Sequence, residues 1–255
     1  MPINAQISWS FPARPPEPTP ENLRETAAIV SSLRADFGLA HDGDADRLVM
    51  VNSFGRVVPD SVVSILALRA LGRHSGKIIL SENTSSAVEE EAKLMGLDVV
   101  RSRIGKTFVE IGKEEAVFAS EPSKIVDPSW GMWEDGMYCA VLVTAALTKD
   151  ASLLEVLNSQ PRWHYRQLNI PVSVDFSKLV EHAEEIFSRF RISEVRRLDG
   201  MKLFFDDQSW VMFRASGTES KTRIYCESRE ELRLMELVDA AKKVVENAMI
   251  PVRVR

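Results

Sequence analysis

The chain has 255 residues, of which 45% are hydrophobic and 27% charged, a composition typical of a globular protein with two or more domains. Its net charge is −5, and its basic residues are interspersed with acidic ones, which disfavours a nucleic-acid partner because phosphate backbones require clustered Lys and Arg. No stretch approaches ~18 consecutive apolar residues, so no membrane span is expected. Two widely separated cysteines, Cys139 and Cys226, favour a reduced, cytoplasmic setting.

The first part of the chain alternates helical and strand patterns, which predicts an α/β architecture with a largely parallel sheet. Thr19 followed by Pro20 marks the start of the first helix. Ser86 and Glu89 form a capping box that marks the start of the third. Helices are predicted at residues 20–33, 60–72, 86–95 and 136–147, and strands at 38–41, 48–51, 77–80, 99–100 and 116–119.

After residue 161 the pattern changes to short strand-like segments flanked by two helices. Ser228 and Glu231 form another capping box before the last helix. This pattern predicts a separate α+β domain with an antiparallel sheet. Strands are expected at residues 168–174, 194–198, 201–205, 210–213 and 222–227, and helices at 178–190 and 230–246.

An acidic loop, His-Asp-Gly-Asp-Ala-Asp-Arg at residues 41–47, directly follows a predicted strand. Its three carboxylates, Asp42, Asp44 and Asp46, would form an unfavourable cluster unless a cation neutralises them. Hard oxygen ligands favour Mg²⁺ or Ca²⁺ over zinc. An EF-hand is excluded because its sixth and twelfth positions are arginine and serine here, not glycine and glutamate. A solvated acidic turn is the alternative, and the apolar strands on both sides argue against it.

A second loop, Arg-Ala-Ser-Gly-Thr-Glu at residues 214–219, lies between two predicted strands. Gly217 permits a tight turn whose backbone N–H groups can face an anion. Ser216 and Thr218 add hydroxyl donors, and Arg214 adds a planar bidentate donor. This donor set suits a phosphate monoester, with an ordinary hairpin turn as the alternative.

Three further features lie between these loops. Residues 104–107 superficially resemble the end of a P-loop, but the required earlier glycine is replaced by Val100, so that motif is excluded. Trp130 and Trp133 are interpreted as core residues rather than sugar-stacking surfaces, because large aromatics are highly buried on average. Cys139 lies in an apolar run and is predicted to be a small core residue.

The acidic loop, together with Pro-Glu-Pro-Thr-Pro-Glu-Asn-Leu at residues 16–23, resembles the metal loop of the α-D-phosphohexomutases. This family includes phosphoglucomutases, phosphomannomutases and phosphoglucosamine mutases. The loop at 214–219 resembles the family's fourth-domain phosphate loop, with Ala215 and Ser220 in place of two prolines. Residues 119–124 occupy the place of its third-domain sugar loop, Gly-Gly-Glu-x-Ser-Gly-His. The glutamate and serine are kept there, but the glycine pair and the glycine-histidine pair are not.

The resemblance implies an α/β protein of three units. Residues 1–57 would be the C-terminal part of domain II, with the metal loop. Residues 58–161 would be a complete α/β domain III that binds the sugar. Residues 162–255 would be domain IV, an α+β domain with an antiparallel sheet that binds phosphate.

The resemblance also implies roles for individual residues. Asp42, Asp44 and Asp46 would hold Mg²⁺, and Arg47 would lie beside the transferring phosphate. Glu121 and Ser123 would bind sugar hydroxyls. Lys106 would be the general acid/base, which requires a lowered pKa, and a surface lysine after a turn is the alternative. The implied phosphate ligands are Arg214, Ser216, Gly217 and Thr218.

The implied activity is Mg²⁺-dependent transfer of a phosphoryl group between the 1- and 6-positions of a glucose, mannose or glucosamine phosphate, with hexose 1,6-bisphosphate as activator. The family's donor serine, in Thr-Ala-Ser-His-Asn-Pro, has no equivalent among the 255 residues. We therefore expect residues 1–57 to expose apolar surface, and we expect a separate chain that supplies the missing N-terminal domains, a homo-oligomer, or marginal stability in that region. The alternatives are a non-catalytic sugar-phosphate-binding or regulatory protein, and the product of a disrupted gene.

Overall fold

The computed structural model describes residues 1–149, 152–160, 162–215 and 221–249. The chain divides into two compact units, residues 1–161 and 162–255. None of the helices in the described ranges is long and apolar enough to cross a membrane.

The first unit begins with an irregular segment, a short helix and an antiparallel hairpin. The helix, α1, is Arg24–Ser32, and the paired strands are β1 (Phe37–Ala40) and β2 (Val49–Asn52). Residues 20–23 form turns, so the predicted helix start at Pro20 is wrong. Leu23, Val30 and Val51 are buried in a small core between α1 and the hairpin, and this core supports the acidic loop that joins the two strands.

The rest of the first unit is built around a four-stranded sheet of order β4-β3-β5-β6. The central strand β3 pairs in parallel with β4 and β5, and β6 is antiparallel to β5, which confirms the predicted α/β class. Its elements are α2 (Asp60–Leu71), β3 (Lys77–Ser81), α3 (Ser86–Leu94), β4 (Asp98–Ser102), α4 (Thr107–Lys113), β5 (Phe118–Glu121), β6 (Lys124–Val126), α5 (Gly136–Lys149) and α6 (Leu153–Ser159).

Helices cover both faces of this sheet. The β3–α3–β4 and β4–α4–β5 connections cross the sheet in opposite directions, so right-handed crossovers place α3 and α4 on opposite faces. Ile79 of β3 packs with Ile111 of α4 in one buried cluster. Helix α3 is capped by Ser85, whose hydroxyl accepts the Ala87 N–H at 3.1 Å, so the capping residue predicted at Ser86 is wrong by one position.

The second unit is an antiparallel sheet of order β7-β11-β10-β9-β8, as predicted for an α+β domain. Phe187 from α7 and Leu237 from α8 pack with Phe213 of the sheet in one large core. The capping box at Ser228 is wrong, because Ser228 ends a strand and the helix begins at Glu231. The elements are β7 (His164–Ile170), α7 (Phe176–Phe187), β8 (Ile192–Arg196), β9 (Met201–Phe205), β10 (Trp210–Ala215), β11 (Thr222–Ser228) and α8 (Glu231–Ala248).

Candidate metal and sugar-phosphate site

The acidic loop brings the three predicted metal ligands together. Asp42, Asp44 and Asp46 each offer a carboxylate oxygen, and these oxygens lie within 4.8 Å of one another. The loop is closed by the His41 ring, whose Nδ1 lies 2.9 Å from the Arg47 carbonyl oxygen, and by the Arg47 N–H, which donates to Asp42 Oδ1 at 3.2 Å. The backbone is therefore folded so that alternate side chains converge.

The chemistry of these carboxylates suits a divalent cation. Asp46 Oδ1 is buried and accepts no hydrogen bond, with Arg47 Nε 3.7 Å away. Burial raises the pKa of Asp42, and the neighbouring carboxylates of Asp46 and Asp44 raise it further. A hard cation bound through oxygen would relieve both conditions, because it supplies the missing partner and neutralises the mutual repulsion.

Two segments of residues 58–161, the predicted domain III, hold the acidic loop in place. The Leu48 N–H donates to the Ser123 carbonyl oxygen at 2.8 Å, and the Gly136 N–H donates to the Ala45 carbonyl oxygen at 2.9 Å. A Cβ on Gly136 would lie 2.4 Å from the Arg47 carbonyl oxygen, so only glycine permits this approach. The acidic loop is thus connected directly to the predicted sugar loop and to the start of α5.

Lys124 adds a side-chain connection between the same segments. Its ammonium group donates to Asp46 Oδ2 and, at 2.6 Å, to Glu134 Oε2. Burial lowers the pKa of Lys124, but the carboxylates of Asp46 and Glu134 outweigh it, so the pKa lies above its ordinary value. Burial likewise raises the pKa of Asp46, and Lys124 reverses that effect and lowers it. Lys124 is therefore a charged partner of one predicted metal ligand.

Glu121 is buried beneath the loop that carries Lys106. Its carboxylate accepts the Gly105 N–H at 2.8 and 2.9 Å and the Thr107 hydroxyl at 2.8 Å. Glu121 is only 6% exposed, so in this conformation it anchors the loop at the start of α4. Lys106 itself is exposed, at the N-cap position of α4. Ser123 is partly exposed, and its hydroxyl donates to the Pro122 carbonyl oxygen at 2.6 Å.

Arg47 lies beside the acidic loop with its guanidinium in ion pairs. It contacts Glu17, and its Nε lies 3.4 Å from Asp42 Oδ2. One third of the side chain is exposed, so it remains accessible to an anion. Asp60, at the start of α2, is intermediate in exposure as a whole, but burial raises the pKa of its carboxyl to about 6 while Arg47 acts in the opposite direction.

Arg214 belongs to the second unit, at the end of β10. Its Nε donates to Asp199 Oδ1 at 3.1 Å, and the side chain is 25% exposed. Gly200, beside Asp199, has φ +88°, and a Cβ there would lie 2.2 Å from the Phe213 carbonyl oxygen. This close approach holds Asp199 next to Arg214. The other predicted phosphate ligands, Ser216, Gly217 and Thr218, lie outside the described residues.

The two tryptophans are surface residues, so the prediction that they fill the core is wrong. Trp130 is 54% exposed and Trp133 56% exposed. The Trp130 ring stacks on Tyr138 with ring centroids 4.8 Å apart, and its Nε1 donates to Asp135 Oδ2 at 3.0 Å. Both residues lie in the connection before α5, outside the sheet layers. Cys139 is buried as predicted, and burial raises the pKa of its thiol to about 12.

Large apolar side chains are exposed in the first 57 residues, as expected for that segment. Met1, Ile7 and Trp9 lie in the irregular N-terminal stretch, and Leu33 and Phe54 are 59% and 65% exposed.

Sequence reasoning missed three residues of this site: Lys124, Glu134 and Asp60. Lys124 could have been noticed as a charge in place of a glycine immediately after the Glu-x-Ser pattern. Glu134 and Asp60 carry no signal in their spacing, because they meet the acidic loop only through the tertiary fold.

Two family models and several relatives match the chain. The model for phosphoglucomutase/phosphomannomutase alpha/beta/alpha domain II matches residues 1–55, and that for domain III matches residues 58–163. A phosphopentomutase of Thermococcus kodakarensis is 31% identical over 95% of this chain and 55% of its own length. A probable phosphoglucosamine mutase of Methanothermobacter thermautotrophicus is 34% identical over 97% of this chain and 56% of its own length.

A crystal structure of a phosphoglucomutase/phosphomannomutase family protein from Burkholderia thailandensis shares the fold, with a TM-score of 0.77 and 24% identity over 94% of this chain and 53% of that one. The chain spans about half the length of the curated relatives it matches. The two family models together cover more than half of the residues and include the acidic loop. The chain therefore belongs to the α-D-phosphohexomutase family.

Proposed function

We propose that this chain carries the metal-binding and substrate-binding parts of a Mg²⁺-dependent phosphohexose mutase. The observation that carries the proposal is the convergence of Asp42, Asp44 and Asp46 within 4.8 Å, in a loop bonded to the predicted sugar loop through Leu48 and Ser123. Phosphoryl transfer depends on positioning and on neutralisation of negative charge. A loop that binds a cation next to a sugar-binding segment would both position the substrate and neutralise its negative charge.

Each group of residues would have a separate role. Asp42, Asp44 and Asp46 would hold Mg²⁺, which would supply positive charge to the transferring phosphoryl group. Arg47, accessible beside the loop, would orient an oxygen of that group. Arg214 would bind the phosphate that is not reacting, with Ser216, Gly217 and Thr218 completing that subsite.

Lys106 and Glu121 lie in different surroundings. Lys106 is exposed at the start of α4. It would contact a substrate hydroxyl only when a bound sugar lies over this part of the surface. Glu121 would have to leave its contacts with Gly105 and Thr107 to grip a sugar hydroxyl, or else would act by positioning the Lys106 loop. We propose the positioning role for Glu121.

We further propose that the donor phosphoserine comes from a domain outside these 255 residues. The sequence contains no Thr-Ala-Ser-His-Asn-Pro motif. Exposed apolar side chains such as Trp9, Leu33 and Phe54 are consistent with contact to another domain, on the same polypeptide or a separate one. A non-catalytic sugar-phosphate-binding role is the second candidate, favoured by the ion pair that Lys124 already makes with Asp46.

Calorimetry on the purified chain tests the binding part of the proposal. With Mg²⁺ present, glucose, mannose and glucosamine 1-phosphates and ribose 1-phosphate are titrated, the last because one relative is named a phosphopentomutase. Asp44→Asn should abolish Mg²⁺ binding, and Arg214→Gln should weaken sugar-phosphate binding. Asp36→Asn, an exposed carboxylate outside the loop, is the matched control and should change neither.

A turnover assay separates the two candidates. Hexose 1,6-bisphosphate and a phosphoserine-bearing domain of a relative are added, and formation of 6-phosphate is followed. Turnover that is lost in Asp44→Asn supports the mutase and excludes the binding-only role. Sugar-phosphate binding without turnover under any of these conditions supports the binding protein. Absence of both metal and sugar-phosphate binding refutes the whole proposal.

A further inference from the structure

Lys124 is a cation that already occupies part of the acidic loop. Its ammonium group donates to Asp46 Oδ2 and also contacts Glu134 Oε2 at 2.6 Å. The three side chains are 17%, 25% and 16% exposed, respectively, so solvent screens the contacts only in part. A partly buried ion pair of this kind is expected to have a larger effect on its surroundings than a surface pair.

The contact competes with a divalent ion for the same carboxylate. A bound Mg²⁺ lies about 2 Å from its ligand oxygens. Whichever oxygen of Asp46 took the ion, the Lys124 ammonium would remain within a few ångströms of it, and the two positive charges would repel. While it pairs with Asp46, Lys124 also cancels one of the three negative charges that would attract the ion.

Glu134 gives the ammonium group a second position. It lies just before α5, whose first residue, Gly136, is bonded to the acidic loop. Because Lys124 already contacts Glu134, it can release Asp46 without losing its last carboxylate partner. Glu134 therefore offers the ammonium group a carboxylate partner that is not one of the predicted metal ligands.

We propose that Lys124 is a built-in counter-cation that sets the divalent-cation affinity of the acidic loop, pairing with both Asp46 and Glu134 until an ion binds and with Glu134 alone once it is bound. The inference rests on the proposed function, because it takes the acidic loop as a metal site. It goes further in assigning a regulatory role to a residue that stands where the family's sugar loop has glycine.

The test is a comparison of ion affinities at constant ionic strength, with Mg²⁺ followed by calorimetry and Mn²⁺ by electron paramagnetic resonance. Lys124→Met, which keeps the length and removes the charge, should bind either ion about tenfold more tightly, a change of the size usual for residues around a metal site. Lys124→Arg should stay within about twofold of the unsubstituted chain, because arginine keeps the positive charge.

Lys77→Met is the matched control. Lys77 pairs with Glu114 at 3.0 Å on the surface, and removing it changes the net charge by the same amount. It should leave ion affinity unchanged. If it tightens binding as much as Lys124→Met does, the effect is one of net charge and the proposal is overturned.

The remaining outcomes separate this inference from the proposed function. Unchanged or weaker ion binding in Lys124→Met, with binding lost in Asp44→Asn, overturns the role of Lys124 and leaves the metal site intact. Absence of ion binding in every variant overturns both. If Lys124→Met does not fold, Glu134→Gln provides the test: it removes the alternative partner and should weaken ion binding. Unchanged or tighter binding there overturns the proposal.

Movement of the ammonium group gives a readout independent of affinity. With ¹³C at lysine Cε, the Lys124 signal should shift as Mg²⁺ is added and should not shift with an equal ionic strength of Na⁺. A Lys124 signal that stays fixed while Mg²⁺ binds would show that the ammonium keeps its place beside Asp46, and would overturn the proposed release of Asp46.

Discussion

The acidic loop of the first unit and the Arg214 corner of the second are held in different ways. The loop is fixed by contacts made within the site: backbone hydrogen bonds from Leu48 and Gly136, and charged partners for Asp46. Arg214 extends from a sheet whose large hydrophobic core lies on the face covered by two helices, with Asp199 as its ion-pair partner. Changes near the acidic loop should therefore alter binding and local stability together, whereas core changes in the second unit should act mainly on stability.

The largest expected effect is a loss of stability in the hydrophobic core of the second unit. Phe187 is fully buried, and its ring contacts those of Phe190, Phe205 and Phe213. Phe187→Ala should cost about 4 kcal/mol of unfolding free energy through lost burial and a residual cavity. Hydrogen exchange should show the loss in peptides of residues 162–249 while Mg²⁺ binding to the acidic loop persists.

Phe54→Ala is the control for this substitution. Phe54 lies in the first unit and is 65% exposed, so its truncation should change stability by less than about 0.5 kcal/mol. If Phe187→Ala abolished Mg²⁺ binding in a chain whose residues 1–149 keep their exchange protection, the proposed separation between core stability and metal binding would fail.

The second largest effect is expected where the acidic loop meets α5. Gly136→Ala places a Cβ 2.4 Å from the Arg47 carbonyl oxygen and 2.7 Å from that of Ala45, so the backbone must move. We expect a cost of about 3 kcal/mol, the upper range for overpacking, and loss of Mg²⁺ affinity because Asp46 moves with the loop. Differential scanning fluorimetry with and without Mg²⁺ measures both.

A second glycine provides the control for Gly136→Ala. In Gly112→Ala the new Cβ would meet only the flexible end of Met132, at 3.2 Å, and the helix interior favours alanine. This variant should be neutral or slightly stabilised, with unchanged Mg²⁺ affinity. Equal losses in the two variants would mean that the close contact at Gly136 is not what holds the loop.

The parts of this site that could be predicted from sequence are those set by local patterns. Alternating apolar segments identified the strands on both sides of the acidic loop, and the spacing of Asp42, Asp44 and Asp46 placed three oxygens in one turn. The burial of Cys139 followed from the apolar run around it. Each of these depends on interactions within a few residues along the chain.

The parts that could not be predicted depend on distant residues or on short elements. Lys124 and Asp46 are 78 positions apart, so no local pattern connects them. Helix α4 has only seven residues, and its start depends on the carboxylate of Glu121, fourteen positions away from Thr107. Tryptophan is a residue type that is usually buried, yet Trp130 stacks on Tyr138 at the surface. The average burial of a residue type does not predict whether a particular residue is buried when that residue lies in a connecting segment outside the sheet layers.

A third prediction distinguishes positioning from direct binding by Glu121. Glu121→Gln replaces one acceptor oxygen by an NH₂ group facing the N–H groups of Gly105 and Thr107. Losing hydrogen bonds to a charged acceptor should cost about 2 kcal/mol locally and speed amide exchange at Gly105. Site-resolved hydrogen exchange measures the effect without substrate.

The same variant distinguishes a positioning role for Glu121 from direct binding of the sugar. If it only grips a sugar hydroxyl, Glu121→Gln should lower sugar-phosphate affinity and leave Gly105 exchange unchanged. Glu110→Gln, at a partly exposed position of α4 with Lys113 as its ion-pair partner, is the control and should affect neither measurement.

The smallest expected effect concerns an ion pair that supports the parallel sheet away from the acidic loop. Burial opposes ionisation of Glu89, but Arg101 and Lys93 outweigh it and lower its pKa from 4.5 to about 2. Since the folded pKa is depressed, the pair should contribute its full stability above pH 4.5 and lose it as the pH falls towards 2. We expect Glu89→Gln to cost about 1 kcal/mol at pH 7, because solvent screens a side chain that is partly exposed.

Urea unfolding from pH 7 to pH 3 tests this directly, through the difference in free energy of unfolding between Glu89→Gln and the unsubstituted chain. The difference should be constant down to about pH 5 and shrink below it, because only the ionised carboxylate contributes. Glu184→Gln in the second unit is the control: Glu184 lies 3.5 Å from Arg197 and is 61% exposed, so its substitution should change little at any pH. A difference for Glu89→Gln that stays constant to pH 3 would mean that the side chain stabilises β4 by packing, since a neutral contact does not titrate.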